Sequence, residues 1–160
     1  MLNVTMICVG KLKEKFYIDA AEEYCKRLSR FCGLEIIEIP EYRLPDDPLD
    51  AHIKVGLEKE SESILKKLPR GALTVALCPD GREMNSPEFS GYISDCAVKG
   101  SSKLCFVVGG SYGLHESIRG SADLKLSLSK MTFPHHLARV ILLEQLYRAF
   151  SISSGGKYNK

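Results

Sequence analysis

The chain has 160 residues, of which 44% are hydrophobic and 26% are charged, and its formal net charge is +2. Its longest apolar runs are far shorter than the roughly 20 residues that a membrane-spanning helix needs, and its N-terminal apolar run precedes the first charges, the reverse of a signal peptide. These features exclude a membrane-spanning chain. They predict a cytoplasmic protein that folds as one globular domain over residues 1–160 with a substantial core.

Strands and helices alternate along the chain, as judged from the spacing of apolar residues and from the prolines and glycines between them. Strands are predicted at 2–9, 34–39, 72–77, 103–108 and 124–129, and helices at 13–31, 53–68, 86–100, 114–119 and 134–151. Residues 78–85 are predicted as a turn, with Ser86 as the N-cap of the next helix and Pro87 at its first helical position. Several strands are apolar on both faces, which is typical of a mostly parallel sheet flanked by helices, so the fold class is predicted as α/β.

The last predicted helix is apolar around most of its circumference. Its large apolar side chains are Leu137, Val140, Ile141, Leu142, Leu143, Leu146, Tyr147 and Phe150. One sheet face cannot cover so many positions, and leaving half of them in water would forgo roughly 6 to 12 kcal/mol at about 1.5–3 kcal/mol each. We therefore predict that a partner subunit covers part of this helix.

Cysteine and histidine spacing gives no sign of a metal site. The six cysteines include no C-x-x-C pair and most have apolar neighbours, so we expect reduced thiols in the core. The four histidines lack H-E-x-x-H or any other ligand spacing, and we predict no bound metal.

Charge is distributed unevenly, because five Lys or Arg residues and one acid, Glu144, lie from Lys130 onward. Such a basic end is either a solvated face or a footprint for a polyanion such as RNA. Charge alone does not distinguish these alternatives.

The fourth predicted strand ends on adjacent glycines in "LCFVVGGSYGLHESIRG". A phosphate-binding P-loop is excluded, since Leu114 and His115 follow Gly113 where a Lys-Ser/Thr pair is required. The dinucleotide fingerprint is also absent, because the glycines are spaced G-G-x-x-G and follow the fourth strand instead of the first. Either a tight turn or the close approach of a ligand explains a glycine pair.

Longer motifs give the strongest indication. The chain contains "VGKLKEKFY", "EYCKRL", "IIEIP", the glycine pair, "SKMTFPHHLARVILLEQLYRAF" and a C-terminal Tyr-x-Lys. Through these segments the whole chain resembles the SPOUT class of trefoil-knotted RNA methyltransferases. More narrowly, it is similar to small single-domain members that methylate ring nitrogen 3 of a pseudouridine in bacterial large-subunit ribosomal RNA.

The resemblance implies a C-terminal trefoil knot, a rare exception to unknotted folding, and S-adenosylmethionine as the cofactor. It implies a homodimer whose site is completed across the interface, acting on large-subunit rRNA within the ribosome. The positions that it assigns to the cofactor are Leu77, Gly109, Leu128, Ser129, Lys130, Met131, Thr132 and Phe133. Glycines let main-chain donors approach a ligand closely, and the apolar Leu77, Leu128 and Met131 suit the flat faces of an adenine, so we expect the glycines to clear space for the adenosine.

Methyl transfer needs two aligned reactants, and a ring nitrogen must also lose its proton. His135 and His136 are the candidates near the start of the last helix, although a histidine there can equally serve in capping or packing. Arg139 and Arg148 are nine residues apart and so lie on opposite sides of the helix. One of them can face RNA while the other meets a partner, or Arg148 can form an ion pair with Glu144.

The C-terminal "GGKYNK" is predicted as a mobile segment that positions RNA. Tyr158 offers a face for base stacking, and Lys157 and Lys160 offer charge to phosphates; a frayed terminus is the alternative. The resembled family ends in Tyr-His-Lys or Tyr-His-Arg, close to the transferable methyl, whereas this chain has Asn159. Because an amide cannot take up a proton near neutral pH, we expect this position to orient the substrate. Tyr158, Lys160, His135 and Arg139 form the predicted catalytic set.

Two other functions remain open at this point. A non-catalytic ribosome- or RNA-binding module would keep the basic end without needing the glycine loop. A different small-molecule α/β enzyme would keep the glycines and have no use for the basic end.

Overall fold

The structure is a computed structural model that describes residues 1–159. The strands are β1 (Leu2–Val9), β2 (Cys32–Ile39), β3 (Leu73–Glu83), β4 (Lys103–Val108) and β5 (Leu124–Ser127). The helices are α1 (Lys15–Leu28), α2 (Asp50–Lys67), α3 (Ser86–Val98), α4 (Glu116–Arg119) and α5 (His135–Ser153). The predicted alternation of strands and helices is confirmed.

All strand pairs in the sheet are parallel, and the strand order is β2-β1-β4-β3-β5. The central strands β1 and β4 are buried on both faces, which explains their continuous apolar sequences. Side chains of α1, α3 and α5 pack on one face of the sheet, and side chains of α2 and α4 pack on the other. The predicted α/β class, a parallel sheet flanked by helices, is confirmed.

The third strand is longer than predicted. The prediction ended it at 77 because "CPDG" contains turn residues, but β3 continues to Glu83. Its pairing with β5 shifts between Leu77 and Arg82, both of which pair with Leu126. The proline and glycine therefore form an irregularity inside a strand, and pairing with β5 resumes beyond it.

The N-cap of α3 is Asn85, which corrects the prediction of Ser86. The Glu88 N–H donates to Asn85 Oδ1 at 2.8 Å, and the Asn85 N–H donates to Glu88 Oε2 at 2.7 Å. Both residue types are good caps, and the reciprocal bond to Glu88 selects Asn85.

The chain itself covers more of α5 than we predicted. Helices α1 and α3 both pack against α5, burying Leu142, Leu143 and Leu146 completely. Tyr147 and Phe150 are half-buried against the same core. The predicted loss from leaving half of the apolar side chains in water is therefore too large. Three of them, Leu137, Val140 and Ile141, are half-buried and belong to neither core cluster.

Five of the six cysteines are buried and Cys25 is half-buried, so their predicted position in the core is confirmed for all but Cys25. Within residues 1–159, no helix combines the length and apolar character needed to cross a membrane. The same residues contain no group of three or more His, Cys, Asp or Glu side chains suited to a metal ion.

Candidate functional site

The predicted cofactor residues meet at the carboxyl edge of the sheet. Gly109 directly follows β4, Leu77 lies in β3 beside the irregularity, and residues 128–133 follow β5. Because β4, β3 and β5 are neighbours and parallel, these three segments share one edge. Ligands of open parallel sheets bind outside this edge.

The loop at 128–133 presents unpaired polar groups. Ser127 Oγ donates to the Ser129 carbonyl at 3.0 Å, and the Met131 N–H donates to Ser129 Oγ at 3.0 Å. The main-chain N–H groups at 130, 132 and 133 have no acceptor among residues 1–159. The loop is therefore held in shape by its serines while several main-chain donors remain available to a ligand.

The glycine pair first serves a tight turn. The Gly113 N–H donates to the Gly110 carbonyl at 3.0 Å, and Gly113 has a φ of +80°. A Cβ on Gly109 would collide with the main chain of Gly113. The expectation that these glycines clear space for a ligand is therefore corrected for Gly109, whose missing side chain is required by the turn itself.

The edge nevertheless fits S-adenosylmethionine. Leu77 and Leu128 are half-buried and apolar, as adenine faces require, and the Met131 side chain is 76% exposed. Unpaired main-chain donors in the adjacent loop suit the polar atoms of a ribose and a carboxylate. These residues are therefore compatible with the predicted cofactor.

Four polar side chains gather around Gly10 near the ends of β1 and β2. We call this group the histidine–carboxylate cluster: Gly10 with the side chains of Glu14, Glu41, His135 and His136. A Cβ atom added to Gly10 would lie within 4.0 Å of three polar atoms. These are Glu41 Oε2 at 3.8 Å, His136 Nε2 at 3.8 Å and His135 Nε2 at 4.0 Å. His136 Nδ1 also lies 3.7 Å from Glu14 Oε2.

The cluster adjoins the glycine turn. A Cβ atom on Gly110 would lie 3.5 Å from Glu41 Oε1 and 3.3 Å from the Val9 side chain. Gly110 is next to Gly109 in the chain, about 3.8 Å between Cα atoms. The glycine pair therefore lies between the predicted cofactor site and the histidine–carboxylate cluster.

Arg139 lies beneath the cluster, with its side chain only 2% exposed. Its guanidinium donates to Glu38 Oε2 at 2.6 Å and to the Gly10 carbonyl at 2.9 Å. Glu38 Oε2 also accepts the Leu12 N–H at 3.1 Å. The expectation that Arg139 can face RNA or a partner is wrong, because its guanidinium ties the ends of β1 and β2 to α5.

Burial lowers the pKa of His135, and the neighbouring His136 and Arg139 lower it further. Glu41 and Glu14 oppose this effect. The Nε2 atom of His135 is buried and has no hydrogen-bond partner among residues 1–159. The surroundings of His135 therefore disfavour its protonated form, and one of its ring nitrogens is buried without a partner.

The C-terminal segment contacts α5 through Tyr158 and Asn159. Tyr158 Oη donates to Glu144 Oε1 at 3.2 Å, and the Arg148 guanidinium lies 4.6 Å from the centre of the Tyr158 ring. Arg148 also donates to Glu144 at 2.6 Å and to Asn159 Oδ1 at 3.2 Å. The alternative of a Glu144–Arg148 ion pair is confirmed. The predicted residue Lys160 lies outside the described residues.

Tyr158 and the predicted cofactor loop are far apart along α5. Glu144 lies ten residues after Pro134, which corresponds to about 15 Å of helix. The structure thus brings together the predicted cofactor residues, His135 and Arg139, and leaves Tyr158 at a distance.

Sequence reasoning did not select Gly10, Glu38 or Glu41. Gly10 and Glu38 were present in the quoted motifs "VGKLKEKFY" and "IIEIP", at the ends of two adjacent strands. That position was the available signal, since parallel strands bring their carboxyl ends to one edge. Glu41 lies in a proline-rich loop whose path the sequence does not indicate.

Known proteins similar to this chain agree in family and fold. The family described as "Predicted SPOUT methyltransferase" matches residues 2–159. Ribosomal RNA large subunit methyltransferase H of Clostridium perfringens strain 13 is 48% identical over 159 residues, covering 99% of this chain and 100% of that protein. The protein of the same name from Clostridium beijerinckii is 45% identical with the same coverage. Among solved structures, a probable methyltransferase from Bordetella pertussis superposes with a TM-score of 0.60 at 16% identity, covering 93% of this chain and 95% of that one.

Proposed function

This chain belongs to the SPOUT methyltransferases, within the family of ribosomal RNA large subunit methyltransferase H, and from that premise we propose that it methylates large-subunit ribosomal RNA. The product that we propose is a pseudouridine methylated at ring nitrogen 3, formed in the cytoplasm on rRNA within the ribosome. One observation carries the proposal: the cofactor segments, distant in sequence, converge on one sheet edge beside an unpaired imidazole.

We propose S-adenosylmethionine as the cofactor and a trefoil knot around its site, as the resemblance to the SPOUT class implies. Leu77 and Leu128 would hold the adenine, and the loop at 129–133 would bind polar atoms through its main chain. The bound cofactor supplies a sulfonium methyl group. The chain's own task is to exclude water and align the acceptor nitrogen, so no metal is needed.

We propose a homodimer formed on one face of α5. The half-buried residues Leu137, Val140, Ile141, Glu144 and Arg148 recur at three- and four-residue spacing and define this face. The apolar members lie toward the His135 end, and the docked Tyr158 lies toward the other end. If two such faces pack antiparallel, the tail of each chain approaches the cofactor site of its partner. Within one chain the tail and the proposed cofactor loop are separated by about 15 Å of helix, so a contact across the interface is favoured over one within the chain.

The position of the cofactor is testable without mutation, by recording 15N amide shifts of the chain during titration with S-adenosylmethionine. Saturable shifts are expected for residues 77, 109, 110 and 128–133, and none at the end of α3, residues 97–101. Shifts confined to other segments would place the site elsewhere. This measurement is preferable to Gly109→Val, because a side chain at Gly109 distorts the turn whether or not a ligand binds there.

The reaction is tested by incubating the protein and methyl-labelled S-adenosylmethionine with rRNA from a strain that lacks the corresponding gene. Free 23S rRNA, isolated large subunits and whole ribosomes serve as separate substrates, and mass spectrometry of nucleosides identifies the product. We expect label in a methylated pseudouridine from ribosomal particles. A chain that binds rRNA in all forms and transfers no methyl group would support the non-catalytic RNA-binding alternative.

A further inference from the structure

Three observations mark His135 as more than a packing residue. Its Nε2 is buried and unpaired, it stands two residues after the predicted cofactor loop, and the glycine turn lies beside its cluster. Leaving a buried polar atom without a partner is unfavourable, so an unpaired imidazole nitrogen beside a predicted ligand site calls for an explanation.

His136, the other candidate base, is less suited. Its Nδ1 faces Glu14 at 3.7 Å, and its ring packs edge-on to Tyr17 at 6.2 Å between ring centres. The Glu14 carboxylate and the Tyr17 ring therefore flank the His136 ring. Of the two, only His135 has a ring nitrogen that is both buried and without a hydrogen-bond partner among residues 1–159.

The buried Arg139 lies on the same helix as His135 and joins that helix to the ends of β1 and β2. One turn of α5 separates the two residues, and the Arg139 guanidinium binds the Gly10 carbonyl and Glu38 at once. Gly10 is the residue around which the polar atoms of the cluster gather. Loss of this clamp would release the end of β1 from α5 and change the surroundings of His135.

We propose that His135 Nε2 is the proton acceptor for the methylated ring nitrogen, and that Arg139 is a positioning residue that holds His135 by clamping β1 and β2 to α5. This inference rests on the proposed function. Arg139 touches neither RNA nor cofactor in this role.

The step balances within the proposed reaction. The N–H bond of the target ring nitrogen breaks, and its proton moves to the lone pair of His135 Nε2. The nitrogen electron pair forms the new N–C bond to the methyl group, and the S–C bond breaks with its electron pair remaining on sulfur as a neutral thioether. The imidazolium then returns its proton to solvent. Glu41 and Glu14 are the carboxylates beside this imidazolium, and His136 and Arg139 are the opposing groups.

The positioning role is measured directly by NMR titration of the His135 ring in the intact protein. We expect His135 to titrate below the usual histidine range in the parent chain, and Arg139→Gln to raise its midpoint because a nearby positive charge is removed. Arg139→Lys keeps the positive charge and loses the simultaneous contact with Glu38 and the Gly10 carbonyl. The titration midpoint of His135 in this variant should therefore stay closer to that of the parent, while the His135 ring resonances shift. An unchanged His135 titration and ring environment in both variants would overturn the positioning role. The lysine variant also serves if the glutamine variant does not fold.

The acceptor role is measured by the single-turnover methylation rate against pH. His135→Gln should lower the rate at pH 7 by roughly 10²- to 10⁴-fold, with S-adenosylmethionine affinity within a few fold. The deficit should narrow as pH rises, because the target nitrogen then loses its proton to solvent. His52→Gln, at an exposed histidine on α2, is the matched control and should match the parent.

A His135→Gln variant with the parent's rate and pH profile would overturn the acceptor role. Failure of the parent chain to methylate any form of rRNA would instead overturn the proposed function. The Arg139 titrations decide the positioning role in either case, since they require no RNA.

Discussion

Single residues at the strand ends determine the geometry of the site. Gly10 has a φ of +90°, where a side chain is strained, and its carbonyl is one of the two acceptors of Arg139. Its amide donates to the Ile39 carbonyl at 2.8 Å, which joins the ends of β1 and β2. Backbone conformation at one residue thus supports both the sheet edge and the arginine clamp.

Gly10→Ala should destabilise the protein by about 1–2 kcal/mol, the cost of a left-handed conformation for a residue with a Cβ atom. Urea unfolding monitored by circular dichroism measures this loss. Gly91→Ala is the matched control, since Gly91 lies in α3 with nothing near its Cβ position and should be stabilised by up to about 1 kcal/mol. Equal effects at the two sites would show that the backbone at Gly10 relaxes.

Burial raises the pKa of Glu60, whose carboxylate accepts the Tyr42 N–H at 2.9 Å. A carboxyl with a raised folded-state pKa gives stability that is fully present below its unfolded value and is lost as pH rises through the folded value. Glu60→Gln should therefore have a higher urea midpoint than the parent at pH 7, and the difference should disappear near pH 4.

The exposed Glu58 on the same helix provides the control for Glu60. Glu58→Gln should leave the urea midpoint nearly unchanged at both pH values. A Glu60→Gln variant that is less stable than the parent at pH 7 would mean that the charged hydrogen bond to Tyr42 outweighs burial.

At the scale of secondary structure elements, the tail and α5 act as one unit. Deleting Tyr158 to Lys160 should reduce methylation to background while S-adenosylmethionine affinity stays within a few fold, because the proposed cofactor segments lie elsewhere. Isothermal titration and the labelled-methyl assay measure the two quantities on the same preparation. If the deletion lowers S-adenosylmethionine affinity as much as it lowers methylation activity, the tail is part of the cofactor site.

Asn159→His is the companion variant, and its rate should differ from that of the parent by less than about tenfold, or ~1.4 kcal/mol. Asn159 Oδ1 accepts from Arg148, which is the kind of contact that orients a segment. A gain of a hundredfold or more, with a new titration near pH 6 to 7, would identify a missing base.

Elements with continuous apolar sequences could be predicted closely, and β1 and β4 have the predicted bounds. The end of β3 could not, because its turn residues are outweighed by pairing with β5 after a local irregularity. For the site, the sequence indicated the glycine pair, the loop after β5 and the start of α5. It did not indicate the Glu38–Arg139 contact, which joins residues 101 positions apart and depends on the order of strands in the sheet.

For the whole molecule, we expect a dimer of twice the 17.8 kDa chain mass. Val140→Glu places a charge on the face of α5 that the core clusters leave unpacked, and it should yield monomers with at least tenfold lower methylation. Sedimentation velocity and the methylation assay test both effects. Glu88→Gln, on the exposed side of α3, should remain dimeric and active. A monodisperse, active species of chain mass in the parent would overturn the dimer.

The six buried or half-buried thiols are spread with unusual evenness, one each in β1, α1, β2, β3, α3 and β4. Burial raises the pKa of Cys8 and Cys105 to about 12 and that of Cys32 to about 11, so the reactive thiolate is scarce until the surrounding element opens. The rate at which each cysteine is alkylated, followed by peptide mass spectrometry, would therefore report how often the element around it opens. We expect Cys25 to be modified first and Cys8 and Cys105, in the two central strands, to be modified last. The order of modification would give the order in which the elements open.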